Sequence, residues 1–232
     1  MGLQRTLALH VALIAAVAAA AAVVLLWLPS IASLVAYSED LGSGFRGASI
    51  HLSRLSARVA PGGDARVAVA GRGWGCRASA SVEDGWLRVD AAGSVAPLCW
   101  DCGANITIPP GLDEVDLAAS MAGVSVENIT AGTLRLSITA GGLEAGVAAG
   151  NLTVRVKSGS AEVRLTPLGP APRVDLTVSG GSVSLWIYGN ATVRADVAGG
   201  HATSQGCGGG PVQVDVHVAG GSASVYCLAP RS

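Results

Sequence analysis

The sequence predicts an all-β protein: a single-chain β-solenoid with two short strands per coil, preceded by one N-terminal transmembrane helix. Three observations lead to this fold class. Beyond residue 104 apolar and polar residues alternate between glycine-rich corners, one short phrase returns at nearly constant spacing, and a long apolar segment lies near the N-terminus. With 32 glycines and a single phenylalanine, the composition indicates an interior of small and β-branched side chains closed by tight turns.

The apolar N-terminal segment predicts a membrane anchor. From Leu7 to Leu28 the chain is apolar apart from His10, and as a helix these residues would span about 33 Å. Arg5 precedes the segment and acidic residues follow it, which predicts a cytoplasmic stub and a C-terminal body outside the cell. A cleavable signal peptide is the alternative, although its apolar core should be only about 7–15 residues long. Residues 1–37 are therefore assigned to stub, anchor and linker.

One phrase recurs in the C-terminal half of the chain. Segments 174–181, 193–200 and 214–221 each alternate apolar and polar residues and end in Gly-Gly. With two weaker copies, the last apolar residues of the phrases are Ile138, Val156, Val178, Val197 and Val218. They recur with a period of about 20 residues, which is typical of a solenoid coil. A second strand fits between successive phrases, so each coil holds two strands and two corners.

This period divides the body into two regions. Residues 105–229 are predicted to form the β-solenoid repeats, and residues 38–104 an irregular β capping region that covers the end of the stack. An antiparallel β-sandwich is the alternative fold, because short strands with glycine turns also fit it. The repetition of a whole phrase favours the solenoid.

A resemblance to a known family rests on the segment that opens the repeats. It reads Asn105-Ile106-Thr107-Ile108-Pro109-Pro110-Gly111-Leu112, followed by Val115-Asp116-Leu117 and by short strands that end in glycine. This pattern resembles the putative-adhesin family of prokaryotic cell-envelope β-solenoid domains, whose repeats follow a hydrophobic-x-hydrophobic-Pro-x-Gly motif. The likeness covers roughly residues 50–228 and implies a solenoid at a cell envelope. It implies no catalytic residue.

Every asparagine of the chain begins an N-glycosylation sequon. The four sites are Asn105, Asn128, Asn151 and Asn190, each with threonine at the second position after it. The intervals between successive sites are close to one, one and two coils. We therefore expect glycans along one edge of the solenoid. The alternative is that asparagine suits corners, because it tolerates a left-handed backbone.

The five cysteines predict disulfides. Cys207 and Cys227 are one repeat period apart, so this bridge would join neighbouring coils and hold the C-terminal one. Stacked Cα atoms about 4.8 Å apart fall within the disulfide range of roughly 4.4–6.8 Å. Cys76 is expected to pair with either Cys99 or Cys102. The spacing of the latter two also occurs in redox and zinc sites, but neither a helix nor further ligands accompany them.

No metal site, cofactor or catalytic centre is predicted. His201 and His217 are neighbours in repeat terms and could share a metal ion, although isolated histidines are usually ordinary polar strand residues. An acidic row is expected at equivalent places of successive phrases, either attracting cations or paired with arginines such as Arg173 and Arg194. Its members are Asp175, Asp196 and Asp215.

Together these features predict a non-enzymatic protein at the cell membrane that serves surface contact, adhesion or envelope structure. Surface glycans or envelope proteins are the expected partners. A net charge of −1 without a basic block excludes nucleic acid. The alternative is a β-helix protein that binds or cleaves cell-surface polysaccharide, which would need clustered carboxylates along a groove. Against that alternative, the aromatic residues are expected in the capping region rather than in the repeats.

Overall fold

The computed structural model describes residue 17 and residues 34–73, 75–94 and 99–229. The predicted transmembrane segment, residues 7–28, lies outside these ranges apart from Val17, and no helix in the described part of the chain is long and apolar enough to cross a membrane. From residue 34 onward the described chain is all-β, with 15 strands in a single sheet.

The strand bounds are β1 (Leu34–Gly42), β2 (Gly47–Ser53), β3 (Ser56–Pro61), β4 (Ala65–Gly73), β5 (Arg77–Glu83), β6 (Trp86–Ala92), β7 (Cys99–Ile108), β8 (Leu112–Val156), β9 (Ser160–Pro167), β10 (Arg173–Val178), β11 (Ser182–Tyr188), β12 (Ala191–Val197), β13 (His201–Gln205), β14 (Val212–Val218) and β15 (Ser222–Leu228). Pro170 and Pro172 lie in the loop between β9 and β10, and Pro167 is the last residue of β9.

The strands form two ladders that meet in β8. Ladder A has the order β5-β6-β2-β8-β10-β14-β12. Ladder B has the order β1-β4-β7-β3-β8-β9-β11-β15-β13. The pairs are parallel except β1–β4, β4–β7 and β5–β6, which are antiparallel. Because different segments of β8 pair in each ladder, the two ladders belong to one sheet.

The hydrophobic core lies between the inward faces of the two ladders. In β10 the alternate residues Val174, Leu176 and Val178 are buried, and β11 buries every second residue in the same way. Among the described residues no polar or charged side chain is buried. Burial of one such aliphatic side chain contributes roughly 1.5–3 kcal/mol, so the period-two pattern determines which face of each strand turns inward.

Residues that mark the sequence repeat lie opposite one another in ladder A. Val178 is opposite Val156 on one side and Val218 on the other, and Val197 is also opposite Val218. Equivalent inward residues therefore stack in columns. The spacing of these valines in the sequence reflects this parallel register.

The order of the last three repeats differs from that of a regular solenoid. β14 lies between β10 and β12, and β15 lies between β11 and β13, so the C-terminal repeat is internal and residues 191–205 form the edge. The expectation that each coil follows the previous one is therefore wrong at this end. The inward side chains of the two strands differ in size: those of β14 are four valines, all buried, whereas those of β12 include Ala191 and Ala195. The more apolar repeat occupies the place with neighbours on both sides.

The described part of the predicted irregular cap, residues 38–104, contains strands from β1 to β7, with register shifts in the β1–β4 and β4–β7 pairs. β2 and β3 extend the parallel pairing onto β8, and the antiparallel strands lie outside them. Tyr37 of β1 connects the outermost strands, because its hydroxyl accepts a hydrogen bond from the Ala80 N–H of β5 at 3.2 Å and donates one to Glu39. The bond to Glu39 raises the pKa of Tyr37 above its usual value, since ionisation would remove the donated proton.

A column of glycines at one corner sets how closely the repeats approach each other. Gly181 has a φ of +98°, and a Cβ placed there would lie 2.2 Å from the carbonyl oxygen of Gly159. That oxygen also accepts a hydrogen bond from the Ser182 N–H at 2.9 Å. The approach recurs at 2.1–2.2 Å along the column, whose members in spatial order are Gly141, Gly159, Gly181, Gly221 and Gly200. Only glycine fits these positions.

We predict that Gly181→Ala lowers the free energy of unfolding by about 3 kcal/mol or more, because it adds a clash to an unfavourable φ. The matched control is Gly169→Ala, where φ is +80° but nothing lies within 4 Å of the added Cβ. The control should lose only about 1 kcal/mol. Urea unfolding of both variants measures the difference. Equal losses would show that the close approach is unimportant.

Candidate functional site

The outer face of ladder B carries a row of large side chains. In the strand register, Trp186 of β11 lies between Arg164 of β9 and Tyr226 of β15. The rings of Trp186 and Tyr226 are stacked, with centroids 5.3 Å apart and planes inclined by 18°. The guanidinium carbon of Arg164 lies 5.8 Å from the centre of the Trp186 ring, within cation–π distance. We call these three residues the aromatic row.

Two carboxylates on β8 and β9 lie beside the aromatic row, in the neighbouring row of the sheet. Glu144 and Glu162 lie directly opposite each other on β8 and β9. Arg164 donates a hydrogen bond to Glu144 at 3.1 Å and another to Glu162. All three charged groups are exposed, so the pairs contribute little to stability. Their effect is to hold the guanidinium beside the indole ring.

A shallow groove of about 630 Å³ adjoins the aromatic row. Serines and glycines from β3, β8, β9 and β11 form most of its lining, and Glu144 and Glu162 stand in its wall. Ser184 connects groove and row, because it lines the groove and faces outward on the same strand as Trp186. The small side chains leave room for a ligand near the backbone, beside hydroxyl groups, carboxylates and an aromatic surface.

A second shallow cavity, of about 580 Å³, lies on ladder A near the N-terminal end. Its polar groups include His51 and Asp90, whose ring nitrogen Nδ1 and carboxylate oxygen are 3.2 Å apart. Alanines and serines form most of the remaining wall. No tryptophan, tyrosine or phenylalanine of the described part of the chain lines this cavity, so the groove on ladder B is the stronger candidate site.

The structure contains two disulfides among its described residues. Cys207 and Cys227, with Cα atoms 5.1 Å apart, join the segment after β13 to β15, which is the neighbouring-repeat pairing that their spacing predicted. The bridge holds the edge repeat, however, because the C-terminal repeat lies inside the stack. Cys76 pairs with Cys102 across 5.9 Å between Cα atoms, which decides between the two partners that the sequence left open. The side chain of Cys99 lies outside the described residues.

The four sequon asparagines are exposed but do not share one edge. Asn151 of β8 is opposite Arg173, the first residue of β10, and Asn190 immediately precedes β12, so both lie at the end of ladder A where β10 and β12 begin. Asn105 instead lies within β7, opposite Arg58 on the outer face of ladder B. Asn128 has a φ of 50°, which is the left-handed backbone that asparagine tolerates.

Two sequon threonines also make structural hydrogen bonds. Thr192 accepts from the Gly210 N–H and donates to the Gly210 carbonyl, both at 3.2 Å. Thr107 donates to the Asp64 carbonyl at 3.2 Å. At these two sites the threonine therefore has a structural role that does not depend on glycosylation.

The acidic row and the histidine pair are arranged differently from expectation. Asp175 and Asp215 are opposite each other, but the next position in that row is Arg194. Asp196 lies one row along, opposite His217, with 3.9 Å between its carboxylate and Nδ1. β13 places His201 on ladder B, whereas His217 is on ladder A, so the two histidines do not converge. No cluster of three metal-binding side chains occurs among the described residues.

The aromatic row was missed from the sequence, which predicted the aromatic residues in the capping region. A signal for it exists in the repeats. Trp186 and Tyr226 are the fifth residues of two equivalent strands, which begin Ser-Val-Ser-Leu-Trp and Ser-Ala-Ser-Val-Tyr and lie two repeat periods apart in the sequence. The spacing alone therefore assigns the two rings to repeats that do not touch, and only the exchanged strand order makes them adjacent.

The fold has counterparts among solved structures. A crystallised "putative cell adhesion protein" from Clostridium sporogenes aligns with a TM-score of 0.51 and 9% sequence identity over 84% of this chain and 100% of that one. The likeness shows a shared fold. Two crystallised "putative adhesin" proteins align less well. The one from Parabacteroides distasonis has a TM-score of 0.34 and 13% sequence identity over 85% of this chain and 98% of that one. The one from Bacteroides fragilis has a TM-score of 0.35 and 10% sequence identity over 86% of this chain and 99% of that one. No family model and no curated protein matches the sequence.

We predict that replacing both Cys207 and Cys227 by serine lowers the free energy of unfolding by about 2–4 kcal/mol, because the loop that the bridge closes gains freedom in the unfolded chain. Chemical denaturation under non-reducing conditions measures the loss. Limited proteolysis should then cut first in the edge repeat that the bridge holds. Unchanged stability and unchanged cleavage would contradict this role.

Proposed function

We propose that this chain is a membrane-anchored, outward-facing β-solenoid protein that makes surface contacts at a cell envelope, without catalysis. The observation that carries the proposal is the aromatic row on the outer face of ladder B. Tryptophan, tyrosine and arginine are the residue types that most often dominate the binding energy of interfaces. A row on an open sheet suits an extended partner, such as an envelope glycan or protein, better than an enclosed small molecule.

In this proposal the two ladders are two faces of a solenoid in which the C-terminal repeat is inserted one place inward. Residues 7–28 form the anchor, and the body lies outside the cell. The two disulfides support this location, because such bridges form and persist in oxidising compartments. Four exposed sequons and the adhesion role named for the C. sporogenes protein agree with it.

A polysaccharide-cleaving enzyme is the second candidate, and one observation favours it. Glu144 and Glu162 lie opposite each other in the groove, and glycosidases use two carboxyl groups that flank the scissile bond. Both groups accept hydrogen bonds from the Arg164 guanidinium, however. That arrangement suits two carboxylates that orient an arginine rather than an acid and a base. Release of sugar fragments by the purified chain, abolished in Glu162→Gln, would establish the enzyme instead.

We predict that Trp186→Ala and Tyr226→Ala each weaken binding to envelope material by about tenfold or more. Pull-down on whole cells, together with a glycan array, measures the binding of the full chain. Thr177→Ala on the outer face of ladder A is the control and should bind as the unaltered protein does. If both aromatic variants bind normally, the aromatic row is not the contact surface.

We also predict N-linked glycans on the native protein at Asn105, Asn128, Asn151 and Asn190, since all four side chains are exposed. Mass spectrometry of peptides from the native source checks each site separately. Thr107→Ala should remove the glycan at Asn105 alone. The prediction fails if all four asparagines are unmodified.

A further inference from the structure

The repeat at the edge of the sheet leaves part of the core uncovered. Along β12 the inward side chains become steadily more accessible, from buried Ala191 through partly buried Val193 to exposed Ala195 and Val197, the last at 43%. The equivalent positions of β14 are exposed by 2% or less at Val212, Val214, Val216 and Val218. Among the described strands β12 pairs only with β14, so within that part of the chain its other side is an unpaired sheet edge.

The opposite end of the stack is built differently. There β1 and β5 terminate the two ladders as antiparallel strands, and the hydrogen bond between Tyr37 and Ala80 draws them together. The described chain supplies no such closure over β12 and β13. The open end is therefore the one formed by β12 and β13.

The sequence of β12 is complementary to itself when two copies run antiparallel. If Ala195 lies opposite Ala195 of a second copy, Arg194 of each copy lies opposite Asp196 of the other, on the outer face. On the inner face Val193 lies opposite Val197, twice. Directly opposed residues in antiparallel strands have Cβ atoms about 4.5–5.5 Å apart, close enough for ion pairs and apolar contact.

Neighbouring registers are disfavoured. A shift by one residue would place outward-facing side chains opposite inward-facing ones, so neither face of the sheet would continue across the interface. The two nearest registers that preserve the faces oppose Arg194 with Arg194, or Asp196 with Asp196. Like charges directly opposite each other are destabilising. The register centred on Ala195 is therefore selected by both charge and burial.

Charges already present on β14 agree with this register. Within one copy Arg194 is opposite Asp215, and Asp196 is opposite His217. In the joined sheet each Arg194 would lie between two carboxylates, and each Asp196 between a histidine and an arginine. β13, the edge of ladder B, has only polar uncharged groups at its C-terminal end, Thr203, Ser204 and Gln205, and brings no repulsion there.

We propose that β12 docks a second copy of this chain as an antiparallel strand in the register centred on Ala195. The two-fold axis lies perpendicular to the stack, so the N-terminal ends of the two copies point away from each other. If residues 7–28 are an anchor, a step that rests on the proposed function, this orientation joins copies on two facing membranes. The contact is then homophilic adhesion through the membrane-distal end.

Sedimentation equilibrium of the full chain in detergent tests the interface, with protein from a host without N-glycosylation so that Asn190 is unmodified. We expect a reversible dimer. Arg194→Asp and Asp196→Arg should each raise the dissociation constant about tenfold or more, because two ion pairs become repulsions. The double variant carrying both substitutions should dimerise again, since it restores opposite charges in the same register.

The matched controls are Arg173→Asp and Asp175→Arg, which make the same charge changes on the outer face of β10, away from the edge. Both should dimerise normally, and circular dichroism confirms that all variants are folded. A monomer at every concentration overturns the proposal. The proposal is also overturned if the single substitutions leave the dissociation constant of the dimer unchanged, or if the double substitution does not restore it.

Vesicles carrying the full chain test the facing-membrane arrangement separately. They should cluster with the unaltered chain and the double variant but not with either single variant. A dimer in detergent without clustering of vesicles overturns the adhesive role and leaves the interface intact. If dimerisation fails while whole-cell binding still depends on Trp186, the contact function stands with a different partner.

Discussion

Close backbone contact at the glycine corner is the constraint on which the rest of this structure depends. Glycine carbonyls of the column accept hydrogen bonds from the adjacent repeat, as Gly159 does from Ser182, and that bond leaves no space for a Cβ on the next glycine. The contact fixes the register of each stacked repeat at one point. Equivalent side chains then stack in columns inside and in rows outside, so one set of corners positions both the core and the aromatic row.

Much of the fold could be predicted from the sequence, because parallel stacking requires similar residues at equivalent positions, which recur at a fixed interval. The spacing of Val156, Val178 and Val218 predicted which residues share a column, and the spacing of Cys207 and Cys227 predicted a bridge between adjacent repeats. The order of the last three repeats could not be predicted. The sequence pattern identifies which strands are equivalent. Their order in space depends on which repeat buries more apolar side chains between two neighbours, and that burial is known only from the packed core.

The candidate site was missed for the same reason. Trp186 and Tyr226 belong to repeats that are not consecutive in the sequence, so nothing in the spacing alone makes them neighbours. The exchange that buries the valines of β14 also brings the two rings into contact and exposes the less apolar β12. A single packing preference thus creates both surfaces for which we propose contacts: the aromatic row on the outer face and the edge strand β12.

Both surfaces depend on the strand exchange, and cysteine cross-linking distinguishes the exchanged order from the sequential one. Thr177 is opposite His217, and Asp196 lies beyond His217 on the far side. Cysteines at 177 and 217 should form an intramolecular disulfide under mild oxidation, whereas cysteines at 177 and 196, two strand spacings or about 9.6 Å apart, should not. A disulfide between 177 and 196 without one between 177 and 217 would show that the repeats stack in sequence order instead.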